Sequence, residues 1–160
     1  MPVLIRSRLK KAAIRESRFA ELARKVMAAA GETASELSIE LVGDRRMRAL
    51  NFRYRQQDRT TDVLAFAMRE SEGPFSSPLL GDVVISVPTA RRQARAAGHS
   101  LNHELAVLLV HGVLHLCGYD HEGSEKEAKR MQRRERAILS KVHPSSDHSG
   151  DVSRLGTGSH

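Results

Sequence analysis

One of the two longest unbroken apolar runs in the chain, Leu105 to Val110, lies inside a stretch whose apolar positions Leu101, Leu105, Leu108, Leu109 and Val113 recur at helical spacing. A bilayer span takes about 20 residues, so this helix must find its apolar surroundings in the chain's own core. At 160 residues the chain can close one such core and is too short for two substantial ones. With 40% hydrophobic and 28% charged residues, the composition is that of an ordinary soluble globular protein. No membrane partner is expected.

The remaining elements are read around that helix. Residues 3–9 mix apolar and basic side chains as an edge strand does, and residues 15–30 form a helix with Phe19, Leu22, Val26 and Met27 on one side and Gly31 at its end. Arg6, Arg8, Arg15 and Arg18, interrupted by Glu16 and Glu21, read as part of the fold rather than a leader. Leu37, Ile39 and Leu41 alternate with polar neighbours as a half-buried strand, and Asp44 is the expected N-cap of a helix to about Arg55. Val63–Met68 and Gly81–Val87 are two more strands, separated by a Ser-, Gly- and Pro-rich loop over 71–78. Pro88 opens a basic helix that Gly98 stops, Ser100 caps the apolar helix, and Gly118 ends it. Ser124 and Glu127 form a capping-box pattern for a last, highly charged helix to about Val142.

This alternation predicts an α+β single domain over residues 1–143, with a small mixed β-sheet of about four strands packed with about five helices. The strand order is left open by the sequence. Residues 144–160 have little to bury and are expected to form a disordered polar tail. The single cysteine, Cys117, cannot form an internal disulfide, which points to a reduced, cytoplasmic setting.

Lys and Arg number 26 against 19 Asp and Glu, a net charge of +7. Most of the positive side chains are Arg, whose planar fork suits phosphate oxygens, so a polyanion is the first partner to consider. With 4 Phe, 2 Tyr and no Trp there is little to stack bases on, and a nucleic acid, if that is the polyanion, would be held mainly through its phosphates.

The informative segment is His111-Gly112-Val113-Leu114-His115-Leu116-Cys117-Gly118-Tyr119-Asp120-His121. Histidines at i and i+4 of a helix lie about 40° apart around its axis and one turn apart along it, so their rings can converge. Gly118 lets the chain leave the helix by a left-handed turn, and His121 can return to supply a third nitrogen. Three imidazoles with one position open is the pattern of catalytic zinc. A closed structural site is the other metal reading, with Cys117, Asp120 and His103 as candidate fourth ligands. The spacing is that of metzincin peptidases, but their general-base glutamate is replaced by Gly112, which cannot take a proton. Asp120 or Asp62 is the expected partner of a histidine's second ring nitrogen.

His111 to His121 matches the His-Gly-x-Leu-His-Leu-x-Gly-Tyr-Asp-His signature of the YbeY-type family of bacterial endoribonucleases. Leu50-Asn51-x-x-Tyr54-Arg55, Asp58, Thr61-Asp62-Val63-Leu64-x-Phe66 and Leu80 to Ser86 match further family blocks in order, so the chain resembles that family over roughly residues 1 to 142. The resemblance implies a zinc-dependent, single-strand-specific endoribonuclease of ribosomal RNA maturation, acting at the 3′ end of small-subunit (16S) rRNA, and of ribosome quality control. Its partners would be single-stranded RNA, rRNA and the small ribosomal subunit. It implies one Zn2+ per chain in a zincin-like site held by His111, His115 and His121, with Arg55 as the catalytic or substrate-binding arginine. The chain departs from the family at Thr60 and Ala67, each replacing a proline, and at Ala65, replacing a serine.

Two other functions remain at this stage: a zinc hydrolase of another substrate, and a non-catalytic ribosome-associated factor with a structural metal. Of the cluster Arg45, Arg46, Arg48, Arg53, Arg55 and Arg59, the last three are expected at the metal cleft and the first three on a solvated face. The last helix, with Arg130, Arg133, Arg134 and Arg136 laced with Glu125, Glu127 and Glu135, reads as solvated surface, and Met131 as core.

Overall fold

The computed structural model describes residues 3–7, 16–68, 79–119 and 123–142. They form β1 (Val3–Ser7), α1 (Glu16–Ala29), β2 (Glu36–Val42), α2 (Asp44–Arg55), β3 (Val63–Ala67), β4 (Leu79–Ser86), α3 (Val87–Ala97), α4 (Leu101–Leu116) and α5 (Glu125–Val142). The domain is α+β, as the alternation predicts. The loop over 71–78, His121 and the tail 144–160 lie outside the described residues.

The four strands make one mixed sheet in the order β1-β2-β4-β3, with β1, β2 and β4 parallel and β3 antiparallel to β4 at the edge. Successive side chains of a strand face opposite ways, and this period divides the core in two. Ile5, Ile39, Val83 and Ala65 are aligned partners across the sheet and belong to the main core, with Leu37, Leu41 and Ile85. Phe19, Val26 and Met27 of α1, Leu105, Leu109 and Val113 of α4, and Met131 and Ile138 of α5 pack against them. On the other face Val42, Leu64 and Val84 meet Met47 of α2 in a smaller cluster.

Helix α4 is the central element. Its residues Leu105, Ala106, Leu109, Val110, Val113 and Leu114 are all at most 1% exposed, so apolar side chains surround it. Ser100 caps it by accepting from the His103 N–H at 3.1 Å. At the far end the chain turns off through Gly118 at φ +101°, a left-handed conformation that glycine adopts without Cβ strain.

Gly112 lets α4 sit directly on the sheet. A Cβ there would lie 3.0 and 3.2 Å from the two methyls of Val83. A side chain at the position that carries glutamate in metzincins would press on Val83, which would have to give by a few tenths of an ångström. Gly81 plays the same part between strands, because a Cβ would fall 2.4 Å from the Phe66 carbonyl oxygen.

One cap differs from expectation. Gly43, not Asp44, is the N-cap of α2, and it makes no side-chain capping bond. Asp44 is the first helical residue, and its carboxylate turns away from its own helix to accept from Ser86, Thr89 and Arg92. Three donors outside the helix outcompete the orphan amides of the first turn.

Candidate metal centre

His111 and His115 project from the last two turns of α4 towards the same point. Their Nε2 atoms are 3.1 Å apart and their ring centroids 4.7 Å. Tetrahedral zinc with Zn–N bonds of about 2.0–2.1 Å separates two ligating nitrogens by roughly 3.3 Å, so this pair is nearly at ligating separation. The C-terminal end of a helix carries partial negative charge, which favours a cation beside it. The residues present fit the zinc that the sequence implies: two imidazoles converge through the nitrogens that metals take, and the other ring nitrogen of His111 is engaged elsewhere.

That nitrogen, Nδ1 of His111, is 2.5 Å from Oε2 of Glu135 on α5. An ionised carboxylate only accepts, so Nδ1–H is the donor and Nε2 is left to face the cleft. Neither residue expected to hold a histidine is seen to do so. Asp62 instead accepts from the Val63 N–H at 2.7 Å, from Gln93 and from Thr61, and Asp120 lies outside the described residues. Glu135, read from the sequence as a solvated ion-pair member, is about a quarter exposed. The signal that would have found it is its place on α5: it stands at i+4 from Met131 and three before Ile138, both buried, so a carboxylate interrupts the inward stripe.

Two candidate fourth ligands of a closed site are turned elsewhere. Cys117 directs its thiol to Glu32, with the sulfur 3.7 Å from Oε2. His103 stacks on His99 at the opposite end of α4, about 12 Å of helical rise from His111. The third expected ligand, His121, lies outside the described residues.

The histidine pair opens on a cleft of about 500 Å³ between α4, β3 and the segment after α2. Arg55 lines it from the last turn of α2, and Arg59, Asn51, Asp62 and Ala65 also contribute. Gln56 ends α2 in the left-handed region at φ 60°, which turns the following loop across the cleft mouth. Gln57 Oε1 accepts from Arg59 Nε and Nη2 at 3.0 and 2.7 Å, and buried Asn51 donates to the Arg59 carbonyl at 2.9 Å. The loop thus carries a second guanidinium in a fixed pose.

The arginine cluster divides almost as expected. Arg55 and Arg59 reach the cleft, whereas Arg53 lies over the Tyr54 ring, 5.4 Å from its centroid, and is not among the cleft's lining residues. Arg46 and Arg48 pair with Glu40 and Asp58 on the exposed side. Two arginines of α5 are used within the fold: Arg130 lies over Tyr119, and Arg134 donates to the Ala29 carbonyl at 3.0 Å. Among the departures, Thr60 donates to Asp44 at 3.4 Å, which a proline cannot do, and Ala65 lines the cleft without a hydroxyl.

A histidine pair ends the central helix of this α+β domain and faces an arginine-lined cleft. The family model for endoribonuclease YbeY matches residues 4–143, and the chain belongs to that family. It is similar to endoribonuclease YbeY of Aquifex aeolicus, 44% identical over 135 residues that cover 84% of this chain and 89% of the relative. The relative from Pelotomaculum thermopropionicum is 45% identical over 150 residues, covering 89% and 98%. The fold is shared with the solution structure of TM1509 from Thermotoga maritima, at TM-score 0.61 and 24% identity over 98% of this chain and 96% of that one. Among the described residues no helix is long and apolar enough to cross a membrane.

Proposed function

We propose that the chain is a zinc-dependent endoribonuclease that cuts single-stranded RNA, with His111, His115 and His121 as zinc ligands and Arg55 as the residue that meets the scissile phosphate. Membership of the endoribonuclease YbeY family supports RNA as the substrate. The observation that carries the metal reading is the 3.1 Å approach of the two Nε2 atoms at the edge of a cleft also lined by Arg55.

When bound, zinc supplies a Lewis acid that polarises a phosphoryl oxygen or acidifies water. The other contributions come from the chain's own side chains. Phosphodiester cleavage gathers negative charge on the non-bridging oxygens, and a guanidinium placed in advance stabilises that charge without reorganising. Arg55 occupies that role at the cleft wall, and Arg59, held by Gln57, is placed to take a neighbouring phosphate. Gly112 stands where such peptidases carry their base and cannot take a proton, which argues against peptidase chemistry.

The natural substrate in this reading is ribosomal RNA, at the 3′ end of the small-subunit molecule, in maturation and quality control of the ribosome. Residues 1–143 form the enzyme domain and 144–160 a dispensable tail, in a reducing cytoplasm that suits the lone Cys117. The test is cleavage of a single-stranded fragment of small-subunit rRNA, and of the same fragment annealed to its complement, with and without chelator. Cutting of the single strand that chelator abolishes and zinc restores is the expected result. Undiminished cutting in chelator would overturn the zinc reading, and equal cutting of the duplex would overturn the strand preference.

A further inference from the structure

We infer that Glu135 is the positioning residue of the metal centre: its carboxylate fixes the His111 ring and tautomer so that Nε2 is aimed at the ion's place. The inference rests on the metal reading given above and adds a residue to it.

Three observations carry it. The contact itself is short, 2.5 Å from Nδ1 to Oε2, and joins α4 to α5 across 24 residues of sequence. It is also sheltered, for the His111 and Glu135 side chains are only 29% and 27% exposed. A hydrogen bond to a carboxylate in such a place is stronger than one in water. Finally, Glu135 stands where α5 otherwise presents apolar side chains inward, between Met131 at 0% and Ile138 at 1% exposure. A carboxylate in that stripe costs desolvation, and the imidazole N–H is the group that offsets it.

The chemistry follows from the two nitrogens of the ring. A neutral imidazole carries one proton; held on Nδ1 by Glu135, it leaves the Nε2 lone pair outward. The bond also holds the ring against rotation about its side-chain torsions. In the structure Nε2 of His111 lies 3.1 Å from Nε2 of His115, so the two rings turn these nitrogens towards one place. α5 therefore serves the site through one residue rather than through its arginines.

The experiment measures zinc affinity by chelator competition for the full-length protein, Glu135→Ala, Glu135→Gln and His115→Ala, with melting temperatures of the metal-free forms as the check on folding. Loss of an outer partner of a metal ligand weakens binding about 10–100-fold. Glu135→Ala should fall in that range while its metal-free form melts close to the parent, and Glu135→Gln, which keeps an acceptor oxygen, should recover part of the loss. Long-range proton–nitrogen NMR gives a second readout: the His111 ring should be in the Nδ1–H form in the parent and move towards Nε2–H in Glu135→Ala. Zinc affinity within twofold of the parent in Glu135→Ala, with His115→Ala strongly weakened, overturns the role of Glu135 and leaves the metal reading standing. A parent that binds no zinc, or His115→Ala that binds as the parent does, overturns both. Should Glu135→Ala fail to fold, Glu135→Gln and the parent's tautomer decide: parental zinc affinity in Glu135→Gln together with an Nε2–H parent ring sinks the proposal.

Discussion

Asp44 and Glu135, two of the carboxylates that reach across the fold to distant elements, end differently. Asp44, at the start of α2, accepts from Ser86 at 2.7 Å, Thr89 at 2.6 Å and Arg92 at 2.8 Å. Every one of those donors ends on the carboxylate, and the knot ties α2 to the β4–α3 junction. Glu135 takes one N–H from a ring whose other nitrogen stays turned to the cleft. The same device makes a joint within the fold in one place and orients a cleft-lining ring in the other, and what separates them is whether the partner itself lines the cleft.

The sharpest way to break the contrast is at the site end. His115→Ala should abolish stoichiometric zinc and RNA cleavage together while the Asp44 knot, and with it the fold, persists. Metal quantification on the purified variant checks this, and full zinc occupancy would count decisively against the pair as ligands. Next in size is Arg55→Ala, for which cleavage is expected to fall about 10²–10³-fold, as for loss of one preorganised donor. Zinc content should be unchanged, and cleavage at the parental rate would remove Arg55 from the chemistry.

At the knot the expectation is reversed. Asp44→Ala takes the shared acceptor from the Ser86 and Thr89 hydroxyls, 0% and 9% exposed, leaving them their weaker contact with each other, which costs about 1–2 kcal/mol. The melting temperature should drop by about 2–8 °C, with zinc affinity as in the parent; a parallel loss of zinc binding would erase the distinction between the two carboxylates. The knot also has a pH signature. Partial burial opposes ionisation of Asp44, but the bonds from Ser86, Thr89 and Arg92, with the Arg92 charge, outweigh it and bring its pKa from 3.8 to about 2. Between those values the unfolded chain binds more protons than the folded one, so this stabilisation is complete above 3.8 and fades as pH falls through about 2. Asp44→Asn should flatten acid unfolding in that interval, and an unaltered acid limb would argue that the carboxylate charge is idle. Smallest of all is Arg48→Ala. Its pairing with Asp58 at 2.7 Å has both side chains more than half exposed, and such pairs contribute little, so calorimetry should find no resolvable change in melting temperature.

Much of the fold was legible because its signals are local. The caps at Ser100 and Ser124 and the stops at Gly31 and Gly98 depend on backbone geometry over a few residues, and the structure bears them out; the alternation of Leu37, Ile39 and Leu41 gives the strand, but not its half-burial, because Ser38 and Val42 on the other face are buried too. Asp44 was misplaced by one position for a reason of the opposite kind. Its side chain is a good cap in isolation, but Thr89 and Arg92, more than forty residues away, compete for it and win. Glu135 was misread for the same reason: on a helix rich in Arg, i,i+4 pairing looks sufficient, and nothing in the local sequence says that His111 lies opposite.

What the sequence determined by itself was the pitch of the site: two imidazoles one turn apart on a helix must share a face, whatever the rest of the chain does. Tertiary structure alone decided what stands around them. The order β1-β2-β4-β3 sets β3 at the sheet edge beside α4, the left-handed turn at Gln56 carries the Arg59 loop to the cleft, and the packing of α5 brings Glu135 behind His111. Helix and strand periods repeat within a few residues and can be read along the chain, whereas these meetings join elements far apart in sequence and are fixed only when the apolar faces close on one another.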